Sequence, residues 1–317
     1  MTPKGYAPAN SFESPRFSGV RTFMRLPLVR DLEGVDVAFL GVPFDTGASF
    51  RVGARFGPEA VRSASHLLRP FNAGAGVDIF EHVSAVDAGD VSVVPGFIAD
   101  SFTRIEADLR PVYAAGVVPL VMGGDHSIAL PELRAAAATH GPLALVHFDS
   151  HSDTWDSYFG HPLNHGTPFR RAIEEGLIAP EKSIQLGIRG PLYAASDLDD
   201  ARALGLTVLT TDDMREMGLR EVIAQAQARV GATRAFVSFD IDFLDPAFAP
   251  GTGTPEVGGF TTWEAQQLLR GLAGIDVVGA DMVEVLPAHD PAAITAFAGA
   301  AVLFELLTLV AIRRRDS

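Results

Sequence analysis

The segment "LALVHFDSHSD" (143–153) joins an apolar run to three residues that are costly to remove from water. Its first part, "LALVHFD" (143–149), has the continuous hydrophobic character of a strand that is covered on both faces of a sheet. Asp149, His151 and Asp153 follow at alternate positions, and an extended backbone would direct these side chains to one side. The segment therefore predicts a buried strand of a parallel sheet that ends in a polar cluster.

Similar apolar runs recur along the chain and alternate with helical patterns. From these runs we predict eight strands, at 36–44, 84–93, 118–124, 143–149, 183–189, 206–211, 235–242 and 277–285. The intervening segments have apolar residues at helical spacing and a glycine where each helix would end. This alternation predicts an α/β fold, a three-layer sandwich with a central, mostly parallel, eight-stranded sheet.

Length and composition favour a single domain. With 317 residues, of which 47% are hydrophobic, the chain can cover both faces of one large sheet. We predict one domain over residues 1–317, with an N-terminal arm at about residues 1–34. The first 17 residues lack the pattern of a secretory signal, and we expect the protein in the cytoplasm.

The segment "ITAFAGAAVLFELLTLVAIRR" (294–314) is apolar enough to raise the question of a membrane span. Glu305 interrupts it, and no other segment resembles it. We therefore predict a buried last helix and no membrane partner.

Charge and cysteine content exclude several classes of function. The formal net charge of −14, with no basic cluster before the last few residues, argues against a nucleic-acid partner. The chain has no cysteine, which excludes disulfides, thiolate nucleophiles and cysteine-ligated zinc.

Two other predicted strands also end in polar groups. "VMGGDHS" (121–127) carries His126, and "VSFDIDFLDP" (237–246) carries Asp240 and Asp242, again two residues apart. In a parallel sheet, ligands bind outside the carboxyl ends of the strands. We therefore expect acidic and imidazole groups from three strands to meet at one edge.

This group of acids predicts a metal centre. Crowded carboxylates require either protons or a multivalent cation, and oxygen and imidazole donors without sulfur suit manganese or iron. Six donors exceed what one ion with an open position needs, but they suit a pair of ions with bridging carboxylates. The predicted ligands are His126, Asp149, His151, Asp153, Asp240 and Asp242.

The segments "GGDHS", "HFDSHSD" and "SFDIDFLDPAFAPGTGTPEVGG", in this order and at this spacing, resemble the three metal motifs of the ureohydrolases, the arginase and agmatinase family. The resemblance continues in "GVPFDTGASFRVGARFGPEAVR", "NHGTPFRRAIEEGL" and "VEVLPAHD", and it covers nearly the whole chain. It implies an eight-stranded parallel sheet between helical layers and a homo-oligomer, either a trimer or a hexamer.

The resemblance also implies two Mn²⁺ ions per subunit, with other divalent metals as alternatives. Each ion would have one imidazole and one carboxylate of its own, and two carboxylates would bridge the ions: these are His126 with Asp153, His151 with Asp242, and the bridging pair Asp149 and Asp240. A hydroxide bridging the ions would attack a guanidinium carbon and release urea and an amine.

Three residues are implied to be catalytic. Glu284 resembles the family's guanidinium-binding glutamate, His165 in "NHGT" resembles its proton-shuttling histidine, and Asp153 is counted here as well as among the ligands. Without the resemblance, a non-catalytic interpretation stays open for both residues. His165 would then be an ordinary loop histidine, and Glu284 would be a buried glutamate paired with an arginine.

The substrate is less well defined by the sequence. The loops that arginases and formimidoylglutamases use are replaced by "PLNHGT" and "TWDSY", so agmatine is our first expectation. A guanidino acid of the 4-guanidinobutyrate, 3-guanidinopropionate or proclavaminate type is the alternative. An ammonium tail would need a carboxylate and a carboxylate tail would need an arginine; the candidate tail residues are Trp155, Asp156, Tyr158, Asn164, Arg51 and Arg189.

Two other classes of function stay open. One is a non-catalytic, metal-binding regulatory homologue, and the other is a different hydrolysis on the same scaffold, such as deamidation or deacetylation. The chain also departs from the family at Ser150, where alanine is usual, and we expect a hydrogen bond that retunes Asp149 or His151. Asp125 is expected either to orient a ligand or to cap the following helix, and His147 to pack in the core.

Overall fold

The computed structural model describes residues 3–194 and 196–317. Its ten strands, within those ranges, are β1 Val37–Gly41, β2 Phe71–Asn72, β3 Val77–Asp78, β4 Ala85–Asp90, β5 Val118–Met122, β6 Ala144–Phe148, β7 Ile184–Ile188, β8 Thr207–Thr210, β9 Ala235–Asp240 and β10 Val277–Val283. The α-helices of the same residues are α1 Gly57–Ser65, α2 Ile98–Ala114, α3 Ala129–His140, α4 Pro168–Glu174, α5 Ser196–Ala203, α6 Thr211–Met217, α7 Leu219–Val230, α8 Thr262–Gly271 and α9 Ile294–Arg315.

Eight of the strands form one sheet, in the order β4-β1-β5-β10-β9-β6-β7-β8. Every neighbouring pair in this sheet is parallel. The predicted fold class is therefore confirmed, and each of the eight predicted runs contains one strand of the sheet. The antiparallel hairpin β2–β3 was not predicted, because two residues per strand are too few for a period to appear.

Helices cover both faces of the sheet and create two apolar cores. On β1 the buried Phe39 belongs to the core beneath α7, α8 and α9, whereas Leu40 belongs to the core beneath α2 and α3. Successive residues of a strand point to opposite faces, so a strand buried on both sides must be apolar throughout. This requirement explains the uninterrupted hydrophobic runs of the sequence.

The last helix, α9, packs within the molecule. The segment Pro291–Arg315 is long and apolar enough to cross a membrane, and 72% of its most apolar window is buried inside the protein. The Glu305 carboxylate, which interrupts the apolar run, pairs with Arg270 of α8 and accepts a hydrogen bond from Asn72. The ion pair gives the buried charge a partner, as a core helix requires.

The N-terminal segment combines exposed and buried parts. Phe12 and Phe17 are exposed, whereas Phe23 and Met24 are buried. The Phe23 ring stacks on the Phe39 ring of β1, with centroids 4.0 Å apart. The region predicted as an arm therefore contributes to the core at residues 23–26. His66 lies at the end of α1 and is buried beneath this segment.

Candidate metal centre and active site

The predicted ligands lie at the carboxyl edge of four neighbouring central strands. β5, β10, β9 and β6 are adjacent in the sheet, and their parallel direction brings their C-terminal ends to one edge. His126 follows β5, Asp240 ends β9 and Asp149 follows β6. Parallel strands thus assemble groups that lie more than a hundred residues apart in the sequence.

One part of the cluster surrounds His126. Its Nδ1 atom lies 3.1 Å from Asp149 Oδ2, 3.0 Å from Asp153 Oδ2 and 3.4 Å from Asp240 Oδ2. All four residues are buried. Three carboxylates that converge on one imidazole nitrogen form a ready-made donor set for a cation.

The other part of the cluster surrounds His151. Its Nδ1 atom lies 3.1 Å from Asp242 Oδ2 and 3.5 Å from Asp149 Oδ1. The two oxygens of Asp149 therefore face different imidazoles, Oδ2 towards His126 and Oδ1 towards His151. This division is the geometry that a carboxylate bridging two ions requires.

Two features of the cluster fit divalent cations. The buried Nδ1 of His126 has no hydrogen-bond partner among the described residues, although three carboxylate oxygens surround it. Burial and the charges of Asp242 and Asp149 raise the pKa of Asp240 well above its usual value. Cations at this position would occupy the free lone pair and offset the repulsion between the acids.

Backbone strain also marks this edge of the sheet. Asp153 and Glu284 both adopt the left-handed conformation, with φ of 51° and 63°. This conformation is unfavourable for residues other than glycine, and it persists only where the surrounding structure enforces it. Both residues were predicted to be catalytic.

Behind the cluster lies a set of hydrogen bonds that was not predicted from the sequence. His147, predicted as packed core, is fully buried, but its Nε2 lies 2.8 Å from Asp149 Oδ2 and its Nδ1 lies 3.0 Å from Gln185. On the other side, His126 Nε2 lies 2.8 Å from the Ser238 hydroxyl, which donates to Asp281. The signal available in the sequence was the two-residue spacing of His147 and Asp149, which directs both side chains to one side of the chain at the end of β6.

Ser150 contacts His151, one of the two residues expected, and it also contacts Asp242. Its hydroxyl donates to Asp242 Oδ1 at 2.7 Å, and its amide donates to the same oxygen at 3.1 Å. The Ser150 hydroxyl is also 3.1 Å from His151 Nδ1. Because Asp242 Oδ1 is held in this way, Oδ2 is the oxygen that faces His151.

His165 and Glu284 form a second polar unit beside the cluster. The imidazole Nδ1 of His165 lies 3.1 Å from Glu284 Oε1, which also accepts a hydrogen bond from the backbone amide of His126. Burial lowers the pKa of His165, but the hydrogen bond and charge of Glu284 outweigh it and raise this pKa to about 9. The partner of the buried Glu284 carboxylate is therefore a histidine, and not the arginine that the alternative interpretation expected.

Asp125 caps the helical turn that follows it, which is one of the two functions considered for it, and its side-chain hydrogen bonds among the described residues go to Ser127 and Gly47 and not to a predicted ligand. Its Oδ1 accepts a hydrogen bond from the Ser127 amide, which caps the short helical turn at His126–Ile128. Its Oδ2 accepts the Gly47 amide at 2.6 Å and so fixes a loop next to the site. Burial and the charge of Glu284 raise the pKa of Asp125 to about 7.

A cavity of about 440 Å³ leads to this edge of the sheet. His151, Asp153, His165 and Asp240 contribute to its wall. Its outer part is aromatic and includes Phe50, Trp155, Tyr158 and Tyr193, and the hydroxyls of the last two are 2.5 Å apart. Of the six predicted tail residues, the cavity wall contains Trp155 and Tyr158.

The other four predicted tail residues lie elsewhere. Asp156 is exposed and pairs with Arg171 at 2.6 Å, and Asn164 lines a neighbouring cavity. The guanidinium of Arg51 lies 5.7 Å from the centre of the Phe50 ring, next to the cavity wall. The guanidinium of Arg189 is absent from the cavity wall and donates to the backbone carbonyls of Gly187, Asp242, Phe243, Leu244 and Glu256.

Comparison with known proteins decides the family. The arginase family profile matches residues 35–308. The chain belongs to the arginase family. A guanidinopropionase from Pseudomonas aeruginosa is 50% identical over 305 residues, which is 96% of this chain and 96% of that protein. This arginase-family chain is accordingly an amidinohydrolase, a hydrolase of C–N bonds in linear amidines.

Solved structures agree with this assignment and with the fold. The proclavaminate amidino hydrolase of Streptomyces clavuligerus has a TM-score of 0.91 and 42% identity, covering 94% of this chain and 99% of that one. A Trypanosoma cruzi formiminoglutamase, solved with Mn²⁺, has a TM-score of 0.80 and 25% identity, covering 92% of this chain and 98% of that one. The arginase-family chain therefore has the arginase-like α/β fold that the resemblance implied, and its sheet is the parallel, eight-stranded one that the strand pattern predicted.

Proposed function

We propose that this protein hydrolyses a linear guanidino compound to urea and an amine at a centre that holds two Mn²⁺ ions. The observation that carries this proposal is that the two carboxylate oxygens of Asp149 face different imidazoles, those of His126 and His151. Around it, the proposed ligands of one ion are His126 and Asp153, those of the other are His151 and Asp242, and Asp149 and Asp240 serve both. Oxygen and imidazole donors without sulfur favour manganese among the divalent metals available to such sites.

Bound divalent ions would supply an activated water at neutral pH, together with positive charge for the developing tetrahedral centre. The chain would contribute orientation and proton transfer. Asp149 and Asp240 are held by His147 and by the amides of His151 and Asp242, so the donor oxygens are set before substrate binds. Such preparation lowers the reorganisation needed during the reaction.

Glu284 and His165 have complementary proposed functions. The guanidinium group is a flat cation, and a carboxylate at the end of β10 can accept two charge-assisted hydrogen bonds from it. Glu284 Oε1 already accepts two groups of the chain, which leaves Oε2 for the substrate. His165 lines the cavity, Glu284 raises its pKa, and its imidazole can pass a proton to the departing amine.

A guanidino acid is our first candidate substrate, on the ground of the 50% identity with guanidinopropionase. Our expectation from sequence alone was agmatine, and one observation favours it as a second candidate. Among the described residues that line the cavity there is no lysine or arginine, whereas Glu256 contributes a carboxylate. Arg51, beside Phe50, is the proposed partner of a carboxylate tail, and Glu256 replaces Asp156 as the proposed partner of an ammonium tail.

We propose a homo-oligomer, a trimer or hexamer, in the cytoplasm. The intact donor set and the His165–Glu284 pair favour turnover over a purely regulatory, metal-binding role. Release of ammonia or acetate without urea would instead favour the other hydrolytic reactions.

A substrate panel tests the proposed function. Purified protein with added Mn²⁺ is assayed for urea with 3-guanidinopropionate, 4-guanidinobutyrate, agmatine, arginine and guanidine. We expect urea from at least one of the first three compounds, and the preference between carboxylate and ammonium tails identifies the substrate class. An absence of urea with all five compounds would refute the hydrolase proposal.

A further inference from the structure

The imidazole of His165 is held at both of its nitrogens. Nδ1 faces Glu284, as described, and Nε2 lies 2.6 Å from the hydroxyl of Ser49 and 3.1 Å from the Ser49 backbone amide, which donates to it. Both groups of Ser49 therefore meet the same ring nitrogen. The contact joins the loop after β1 to the loop that carries His165, across 116 positions of sequence.

The loop that presents Ser49 is itself fixed to the site. The Gly47 amide donates to Asp125 Oδ2, and the Gly47 carbonyl accepts the backbone amide of His165 at 3.1 Å. A side chain at Gly47 would not fit, because a Cβ atom there would lie 2.6 Å from the Ser127 hydroxyl. The backbone groups of Gly47 and Ser49 therefore both contact His165, and they hold the Ser49 loop against it.

A hydroxyl is suited to a ring that gains and loses a proton. It accepts a hydrogen bond when Nε2 carries a proton and donates one when Nε2 does not. The Ser49 amide can serve only the second state, since an amide has a hydrogen to donate and no lone pair to accept with. The hydroxyl is therefore the one group of Ser49 that can hold the ring in both states.

We propose that Ser49 is a positioning residue that keeps the His165 imidazole aligned, through Nε2, before and after proton transfer. The inference rests on the proposed function of His165, but its structural part concerns only the orientation of the ring. Ser49 is half-buried and lines the active-site cavity and the neighbouring one, so a small additional group can be accommodated there.

The test compares Ser49→Ala with Ser49→Thr, which retains the hydroxyl. We expect Ser49→Ala to lower kcat roughly 10- to 100-fold, the usual range for loss of an orienting partner, with little change in KM or in bound Mn²⁺. Ser49→Thr should recover most of kcat. The matched control is Thr46→Ala, which removes a hydroxyl from the same loop that bonds Gly96 and does not contact His165.

Two results would overturn the inference. One is a kcat of Ser49→Ala equal to that of the wild type. The other is a decrease of kcat that is equally large in Ser49→Ala and Thr46→Ala. A crystal structure of Ser49→Ala provides a readout independent of activity, with a rotated His165 ring expected and an unmoved ring contradicting the inference. That structure decides the question even if the wild-type protein releases no urea from any compound of the panel, so the two failures can be told apart.

Discussion

Asp149 is the residue on which the proposed centre depends most. It is fully buried, and its oxygens face His126 and His151 while His147 lies 2.8 Å from one of them. Burial alone would raise its pKa, but the neighbouring histidines His147, His126 and His151 hold the pKa of Asp149 well below its usual range. A carboxylate kept ionised in the interior is available to bind cations.

Replacing His147 should weaken metal binding without removing a ligand. We expect His147→Phe to lower Mn²⁺ affinity roughly 10- to 100-fold, because the ring no longer holds Asp149 Oδ2. Calorimetric titration of the metal-free protein measures the change. His140→Ala, at the end of α3 and away from the cluster, should bind Mn²⁺ like the wild type, and unchanged affinity in His147→Phe would contradict the positioning role of His147.

Replacing Glu284 separates substrate binding from metal binding. Glu284→Gln keeps the shape but not the charge, and we expect kcat/KM to fall roughly 100-fold, with a raised KM, because charge-assisted hydrogen bonds are each worth about 1.5–3 kcal/mol. Urea release and bound Mn²⁺ are measured on the same sample. A fall in kcat at constant KM would show that Glu284 acts through His165 and not by binding the guanidinium.

The elements explain why the site is assembled where it is. β5, β10, β9 and β6 occupy the middle of the sheet, so the groups after their last residues are surrounded by loops and covered from solvent. A parallel sheet gives all four strands one direction, and it places the ligands at a common edge whatever their distance in sequence. The site is therefore a consequence of strand order.

The buried ion pair between α8 and α9 should contribute measurably to stability. Glu305→Ala leaves Arg270 without its partner, and we expect the free energy of unfolding to fall by about 2–4 kcal/mol, less than for a fully buried pair because Arg270 is 24% exposed. Chemical denaturation measures it. Arg313→Ala, an exposed site on α9, should change stability by less than about 0.5 kcal/mol. Equal effects in both variants would contradict the packing described for α9.

The parts of the fold that depend on periodicity were predictable from the sequence. The continuous apolar runs identified all eight strands of the sheet, since strands buried on both faces can contain little else. The assigned ligand residues stand at the ends of these strands, and the geometry brings them together; their metal-binding role stays a prediction. Arg189 and Asp156 lie in loops, whose conformation no period encodes, and their ion pairs and carbonyl contacts appeared only in three dimensions.

Part of the negative charge of the molecule is concentrated at this edge of the sheet. The formal charge is −14, and four of the acids are concentrated in the cluster with two histidines. Such a concentration destabilises the folded protein unless cations offset it. Metal binding and folding should therefore be coupled.

Removal of metal should lower the thermal stability of the whole protein. We expect dialysis against EDTA to decrease Tm, and added Mn²⁺ to restore it, with about 2.7 kcal/mol of stabilisation per ion at a free concentration 100 times its Kd. Differential scanning calorimetry measures both steps. Addition of Ca²⁺ serves as a control for general charge screening, and full restoration by Ca²⁺ would argue against a site selective for manganese.

Anomalous diffraction at the manganese edge, from crystals grown with Mn²⁺, tests the proposed centre most directly. We expect two peaks on either side of the Asp149 carboxylate, one next to His126 Nδ1 and the other next to His151 Nδ1. A single peak, or a map without peaks between these two imidazoles, would contradict this expectation.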